Sequence, residues 1–409
     1  MGGDHRRLRS GELAVKAESY LETLCAAAPH RRTGSPGNRE ATDAFAQTIQ
    51  GFGYEVDTTP FSCLDYVPGE VSLTSGGDPF EVHISPYSLG CDVAAPLVVV
   101  STLEELERAD CSGDILLMAG PLCAEQLTPK CFPFYNPESH RRIVSLLEWR
   151  KPAAIISATG KNPEQAGALD PSPLIVDGDF DIPNVFCTES MGETLAGMAG
   201  CIFRLKIDAR RLPSKASNVV ARRSWRAARK MVFTAHIDAY AGSPGALDNA
   251  SGSVVLLLLA EMLSEHTGHH TIEIVALNGE DHYSAGGQID YLERYGSELE
   301  SVLLALNVDG VGFERGRSAY SFYGCPPGIE ERARNVFGGS EELVQGDPWF
   351  SGDHMIFAQA GVPAVAFTSE FASELMTTVI HTPLDGRDLV DPKKLVGLAG
   401  TLATLLRAL

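Results

Sequence analysis

The feature that most constrains this chain is the stretch Met231–Gly252, MVFTAHIDAYAGSPGALDNASG. An apolar run from Met231 to Ala235 stops abruptly at His236-Ile237-Asp238. A loop rich in Gly, Ser and Pro leads to Asp248-Asn249, and Ala250-Ser251-Gly252 opens a second, strongly apolar segment. The pattern predicts a buried strand, a loop with a candidate metal ligand at each end, and a helix. In an open α/β sheet, ligands gather outside the carboxyl ends of the strands, which is where His236 and Asp248 would fall.

The surrounding sequence supplies such a sheet. After Ser217–Val220, strand and helix patterns alternate. Strands are predicted at Met231–Ala235, Ile272–Leu277, Val302–Val308, Ala319–Tyr323 and Pro363–Thr368. Helices are predicted at Ser251–His266, Ala285–Tyr295, Ile329–Phe337, Asp353–Ala360 and Pro392–Leu409. Such alternation implies an α/β fold: a mostly parallel, mixed sheet flanked by helices. Further helices are predicted over Gly11–Ala28 and from Asn38, read as an N-cap, to about Gly51. Arg31 and Arg32 between them are expected at the surface or as capping charges.

A chain of 409 residues is too long for one compact core, and two domains are expected. From about Asp65 the texture changes to short β-like runs at Pro96–Ser101, Asp114–Ala119, Ala153–Ser157, Pro173–Val176 and Ile182–Cys187, with helical candidates at Leu103–Ala109 and His140–Trp149. This segment gathers no cluster of ligands or nucleophiles. The expected division is a catalytic domain from residues 1–64 plus 210–409, with a small β-rich domain, residues 65–209, inserted into it.

The balance of 33 basic against 53 acidic residues, a net charge of −20, argues against a nucleic-acid surface. No apolar run approaches the roughly 18 residues of a membrane span. The start, MGGDHRRLRSGELAVK, carries basic residues without an apolar stretch behind them, unlike a secretory signal. Nine cysteines, odd in number and without a C-x-x-C pair, are expected to be reduced thiols in a cytoplasmic setting. Oligomeric state is not legible.

Three later segments end as the opening one does. Ile274–Asn278 runs into Gly279-Glu280-Asp281, Leu304–Val308 into Asp309, and Val379-Ile380 into His381-Thr382-Pro383-Leu384-Asp385. Singly, each has a structural explanation as a turn cap or a surface group. Gathered at one sheet edge, His and carboxylate groups repel and desolvate one another unless a cation neutralises them.

Residues 231–390 resemble the di-zinc aminopeptidase family that includes leucine-type bacterial aminopeptidases and yeast aminopeptidase Y. The family's runs stand in the same order as His236–Asp238, Asp248–Gly252, Gly279–Asp281, Asn307–Gly312, Asp353–Phe357 with Gly361–Ala364, and His381–Asp385. The segment RTGSPGNREA, from Arg32, also resembles that family, and the insert resembles its protease-associated domain more weakly. The resemblance implies two divalent ions, zinc first, with manganese or cobalt also admitted by carboxylate-rich ligation. It implies that His236 and Asp309 hold one ion, Asp281 and His381 the other, and that Asp248 bridges them. Glu280 would be the general base, and Asp238 and Asp385 would orient the two ligand imidazoles. A cis peptide at Asp248–Asn249 is also implied. Asp281 departs from the Glu common at that position, and no equivalent of the family's oxyanion tyrosine is found. His354, Trp349 and Phe350 are candidates for the substrate pocket.

The function implied is a zinc-dependent exopeptidase, an aminopeptidase acting on peptides, with carboxypeptidase action and side-chain preference left open. A single-zinc glutaminyl-cyclase-like enzyme and a transferrin-receptor-like binding protein share the fold and are the alternatives. The first normally lacks the His that stands here as His236; the second loses metal ligands that are all present here.

Overall fold

The computed structural model describes residues 2–27, 30–132, 135–160, 172–175, 177–223, 229–268, 270–281 and 285–409. The chain separates into two compact units, one built on Met1–Cys63, Lys215–Asp281 and Gly286–Leu409, the other on Leu64–Ser214.

The first unit is organised by one sheet. Its strands are β1 (Glu55–Asp57), β2 (Val219–Arg223), β3 (Lys230–His236), β4 (Thr271–Leu277), β5 (Val302–Val308), β6 (Ser318–Tyr323), β7 (Leu343–Gln345) and β8 (Ala364–Ser369), in the order β1-β2-β4-β3-β5-β8-β6-β7. The central strands β4, β3, β5 and β8 run parallel. Antiparallel partners, β2 on one side and β6 on the other, flank them. Every residue of β3 is buried, as expected for a parallel strand covered on both faces.

The helices are α1 (Gly2–Cys25), α2 (Pro36–Gly51), α3 (Ser251–Met262), α4 (Gly286–Tyr295), α5 (Pro327–Phe337), α6 (Met355–Ala358), α7 (Ala372–Thr378) and α8 (Pro392–Ala408). Helix α3 is buried from Ser251 to Ala260, which explains why its sequence is apolar all round. Its start is dense: a Cβ on Gly252 would lie 2.3 Å from the carbonyl of Val308. With α1, α2 and α8 it forms the main apolar core.

Several sequence expectations are corrected here. The N-cap of α2 is Ser35, not Asn38: Ser35 Oγ accepts from the Asn38 amide, and Pro36 opens the helix. Asn38 is instead buried, its side chain donating to Asn278 Oδ1 and the Arg31 carbonyl. Arg31 and Arg32 are buried rather than at the surface.

The second unit also centres on an eight-stranded sheet. Four of its strands, Cys91–Val100, Ile115–Met118, Ala154–Thr159 and Asn184–Thr188, are consecutive and parallel. Parallel pairing needs crossovers, and the helices Leu103–Arg108 and Glu138–Arg150 supply two of them. The insert is therefore α/β in its core rather than simply β-rich. The strand expected at Pro173–Val176 is absent from the described part, Pro173–Ile175, where Leu174 and Ile175 are buried in irregular chain; Val176 lies outside the described residues. Among the described residues, no helix is long and apolar enough to cross a membrane.

Candidate metal centre

The centre is assembled by the ends of three neighbouring parallel strands. His236 is the last residue of β3 and sits in register with Leu277, the last of β4. Glu280 and Asp281 follow β4, and Asp309 follows β5 directly. Asp248 lies in the turn before α3, and the peptide joining it to Asn249 is cis, as the resemblance implied. His381 follows α7 with its backbone in the left-handed region, φ 61°. A non-glycine residue there is uncommon, and such backbone clusters at functional sites.

These side chains converge as two groups of three, His236–Asp248–Asp309 and Asp248–Asp281–His381, each able to offer three ligand atoms within 4.8 Å of one another. Asp248 belongs to both: its Oδ1 is 3.0 Å from His236 Nε2 and its Oδ2 is 3.2 Å from His381 Nε2. Asp309 Oδ1 lies 3.5 Å from His236 Nε2, and Asp281 Oδ1 lies 2.9 Å from His381 Nε2. Glu280 stands outside both groups, its Oε2 3.9 Å from His236 Nε2.

Asp281 Oδ2 is buried without a hydrogen-bond partner, and both His236 ring nitrogens are buried facing carboxylate oxygens, at 3.0 Å and 3.6 Å, with no well-aligned hydrogen bond. Buried polar atoms are normally satisfied, and donor atoms orphaned in a convergent acidic cluster fit divalent cations. The charge balance points the same way. Burial raises the Asp281 carboxyl to about 6, with Asp248 adding to the effect. Burial also lifts Glu280 well above the usual range; His236 opposes this and Asp309, Asp281 and Asp353 reinforce it. Burial alone would lower the His236 imidazole, but Asp309, Asp238 and Asp248 carry it well above its ordinary value. Too many negative groups share one dry space, and cations would relieve that.

Of the two residues expected to orient the imidazoles, Asp238 faces His236, with its Oδ1 3.6 Å from Nδ1, while Thr33 Oγ1 donates to its other oxygen at 3.0 Å. Asp385 grips backbone. Its Oδ1 accepts from the Leu247 amide at 2.7 Å and its Oδ2 from the Asp248 amide at 3.1 Å. These bonds hold the loop that carries Asp248, a role the expected assignment to the His381 ring did not include.

The substrate-pocket candidates separate. His354 is buried, and its Nε2 is 3.0 Å from the carbonyl of Trp349. Its ring packs between Tyr323 and Trp349, and burial lowers its pKa to about 4. Buried in this way, it packs against and pins the Trp349 segment. Trp349 is half-buried against it, whereas Phe350 is 70% exposed. Sequence reasoning missed Asp353, which is buried, accepts from Gln288 at 2.7 Å, and is raised to about 7 by burial despite the nearby His236. Its place in the run DHMIF was the available signal. Tyr240, whose ring stacks on that of His381 at 4.7 Å, gave no sequence signal beyond closeness to Asp238.

The family model described as peptidase family M28 matches residues 218–406. The matched segment holds every residue of both donor groups. The chain is 26% identical over 291 residues to a probable lipoprotein aminopeptidase of Mycobacterium tuberculosis, a match covering 68% of this chain and 54% of that protein. It thus spans about half the length of that curated relative. A zinc aminopeptidase structure from Bacillus subtilis superposes with a TM-score of 0.72 at 22% identity, covering 96% of this chain and 93% of the other. A glutaminyl cyclase from Fimbriiglobus ruber is more distant, with a TM-score of 0.53 at 12% identity, covering 97% and 95%. These structural likenesses show the fold alone.

Proposed function

We propose that the chain is a zinc-dependent exopeptidase, an aminopeptidase that hydrolyses N-terminal residues from peptides. The observation that carries this reading is the pair of donor groups sharing Asp248, with an acid, Glu280, beside them that belongs to neither. His236 and Asp309 would hold one divalent ion, Asp281 and His381 the other, and Asp248 both. Such ions supply Lewis acidity toward a scissile carbonyl and make a water more acidic.

The protein groups do the rest. Glu280, buried and with its affinity for a proton raised, is suited to accept the proton of the attacking water and pass it to the leaving amine. Asp281 is one methylene shorter than Glu, yet its carboxylate reaches within 2.9 Å of His381 Nε2, so the shorter side chain supports the same ligand role. The aminopeptidase names of the M28 relatives support the choice of peptide amine ends, and two donor groups favour a two-ion centre over a single-zinc cyclase. The Leu64–Ser214 unit is read as a protease-associated-like domain; its separate compactness supports this.

The test is a substrate panel: aminoacyl anilides with free amines, the same compounds N-acetylated, and N-blocked dipeptides with a free carboxylate. Cleavage of the free-amine set alone is expected. Release of C-terminal residues from the blocked dipeptides would replace the aminopeptidase reading with a carboxypeptidase one.

A further inference from the structure

The loop Ile237–Leu247 joins the two ligands His236 and Asp248, and it is held from both sides. Asp385 grips its amides. Its carbonyls are gripped by Arg31, whose side chain is only 2% exposed. Arg31 Nε donates to the Ile237 carbonyl at 2.8 Å, Nη1 to Pro244 at 2.8 Å, and Nη2 to Gly245 at 2.8 Å. A further bond from Nη1 reaches the carbonyl of Leu24 near the end of α1, at 3.0 Å. The backbone of Arg31 joins in, its carbonyl accepting from Ala239 at 3.3 Å. Gly245 comes so close that a Cβ there would lie 2.9 Å from Arg31 Nη2.

A guanidinium taken out of water costs several kcal/mol unless its donors are satisfied. Here four carbonyl oxygens accept from it, and three belong to the segment between two metal ligands. A fork of rigid, planar donors fixes such a loop as an ammonium cannot. We propose that Arg31 is a positioning residue for the metal centre: by clamping the Ile237–Gly245 carbonyls it sets where Asp248 stands between His236 and His381. The inference rests on the two-ion reading above.

The experiment uses the full chain stripped of metal by chelation, with zinc affinity measured by competition against a chromophoric chelator. Arg31→Lys and Arg31→Gln are compared with wild type. A control, Glu273→Gln, removes a buried charge on β4, in register with Val232 near the opposite end of β3 from His236. Outer groups that orient ligands change metal affinity about 10- to 100-fold. Folded Arg31→Gln is expected to bind zinc that much more weakly, with Arg31→Lys in between, and kcat falling while KM holds. Glu273→Gln is expected to melt earlier yet bind zinc as wild type does. Wild-type zinc affinity in both Arg31 variants would overturn the proposal and leave the metal centre standing. If neither variant folds, Arg31 is a framework brace and the positioning role is rejected. No zinc uptake by wild type would remove the two-ion reading itself.

Discussion

Replacing Asp385 with Asn tests whether the Asp248 loop hangs on this carboxylate. In the native chain two backbone amides, Leu247 and Asp248, donate to its two oxygens. Asn retains one oxygen to accept and presents an NH2 to the other amide. One charge-assisted bond becomes neutral and one buried N–H loses its partner, together about 2–4 kcal/mol. Since about 1.4 kcal/mol is a factor of ten, the two amides should exchange with solvent about 30- to 1000-fold faster in Asp385→Asn. The assay is hydrogen exchange followed by mass spectrometry on a peptide spanning residues 246–250, in metal-free protein. It should be run at pH 8, because burial raises Asp385 to about 7 and the carboxylate must be charged. Unchanged exchange in those amides, in folded protein, would refute the assignment of Asp385 to the loop.

Two further outcomes follow from groups remote from the centre. Glu273, fully buried, accepts from Arg222, Lys230 and Tyr291, and Glu273→Gln leaves the buried Lys230 ammonium with the partly exposed Glu298 carboxylate, 3.0 Å away; a loss of about 1.5–3 kcal/mol should appear as a lower denaturant midpoint. Asp57 is held at about 2 because bonds from Tyr295 and Thr59 and the nearby Arg294 outweigh burial. A carboxyl lowered in the fold stabilises it above the unfolded value of 3.8 and loses that contribution as pH falls through about 2. The gap in thermal midpoint between wild type and Asp57→Asn should therefore be full above pH 4 and close by pH 2.

The parallel sheet was legible because its strands are written as nearly continuous apolar runs: Met231–Ala235 and Val302–Val308, broken only by Thr234 and Asn307, need burial on both faces and end in polar residues at one edge. The convergence of His and carboxylate groups was legible because each stands in a short, ordered run: His236, Asp281 and Asp309 at or just past strand ends, Asp248 before a helix and His381 after one. What stayed hidden depends on contacts distant in sequence. The bonds of Arg31 to Pro244 and Gly245 cross more than two hundred positions, so an Arg-Arg pair beside a turn read as surface charge. Asp385 lies within a run that contains a ligand, and only the fold shows that its oxygens face another loop. The strand Ile202–Ser217 buries alternate residues along Phe203–Ala209, yet it fell at the expected domain boundary and was passed over. The packing of His354 stayed hidden because a motif position carries no information about which way a ring is turned.

The central claim is a two-ion hydrolytic centre with Glu280 as its base. The most direct test measures metal content by elemental analysis together with aminoacyl-anilide hydrolysis, in wild type and Glu280→Gln. The account predicts two metal ions per chain in both proteins, and a rate about 10²- to 10⁴-fold lower in Glu280→Gln, the usual span for losing a general base. One metal per chain in wild type, or undiminished hydrolysis by Glu280→Gln, would contradict it.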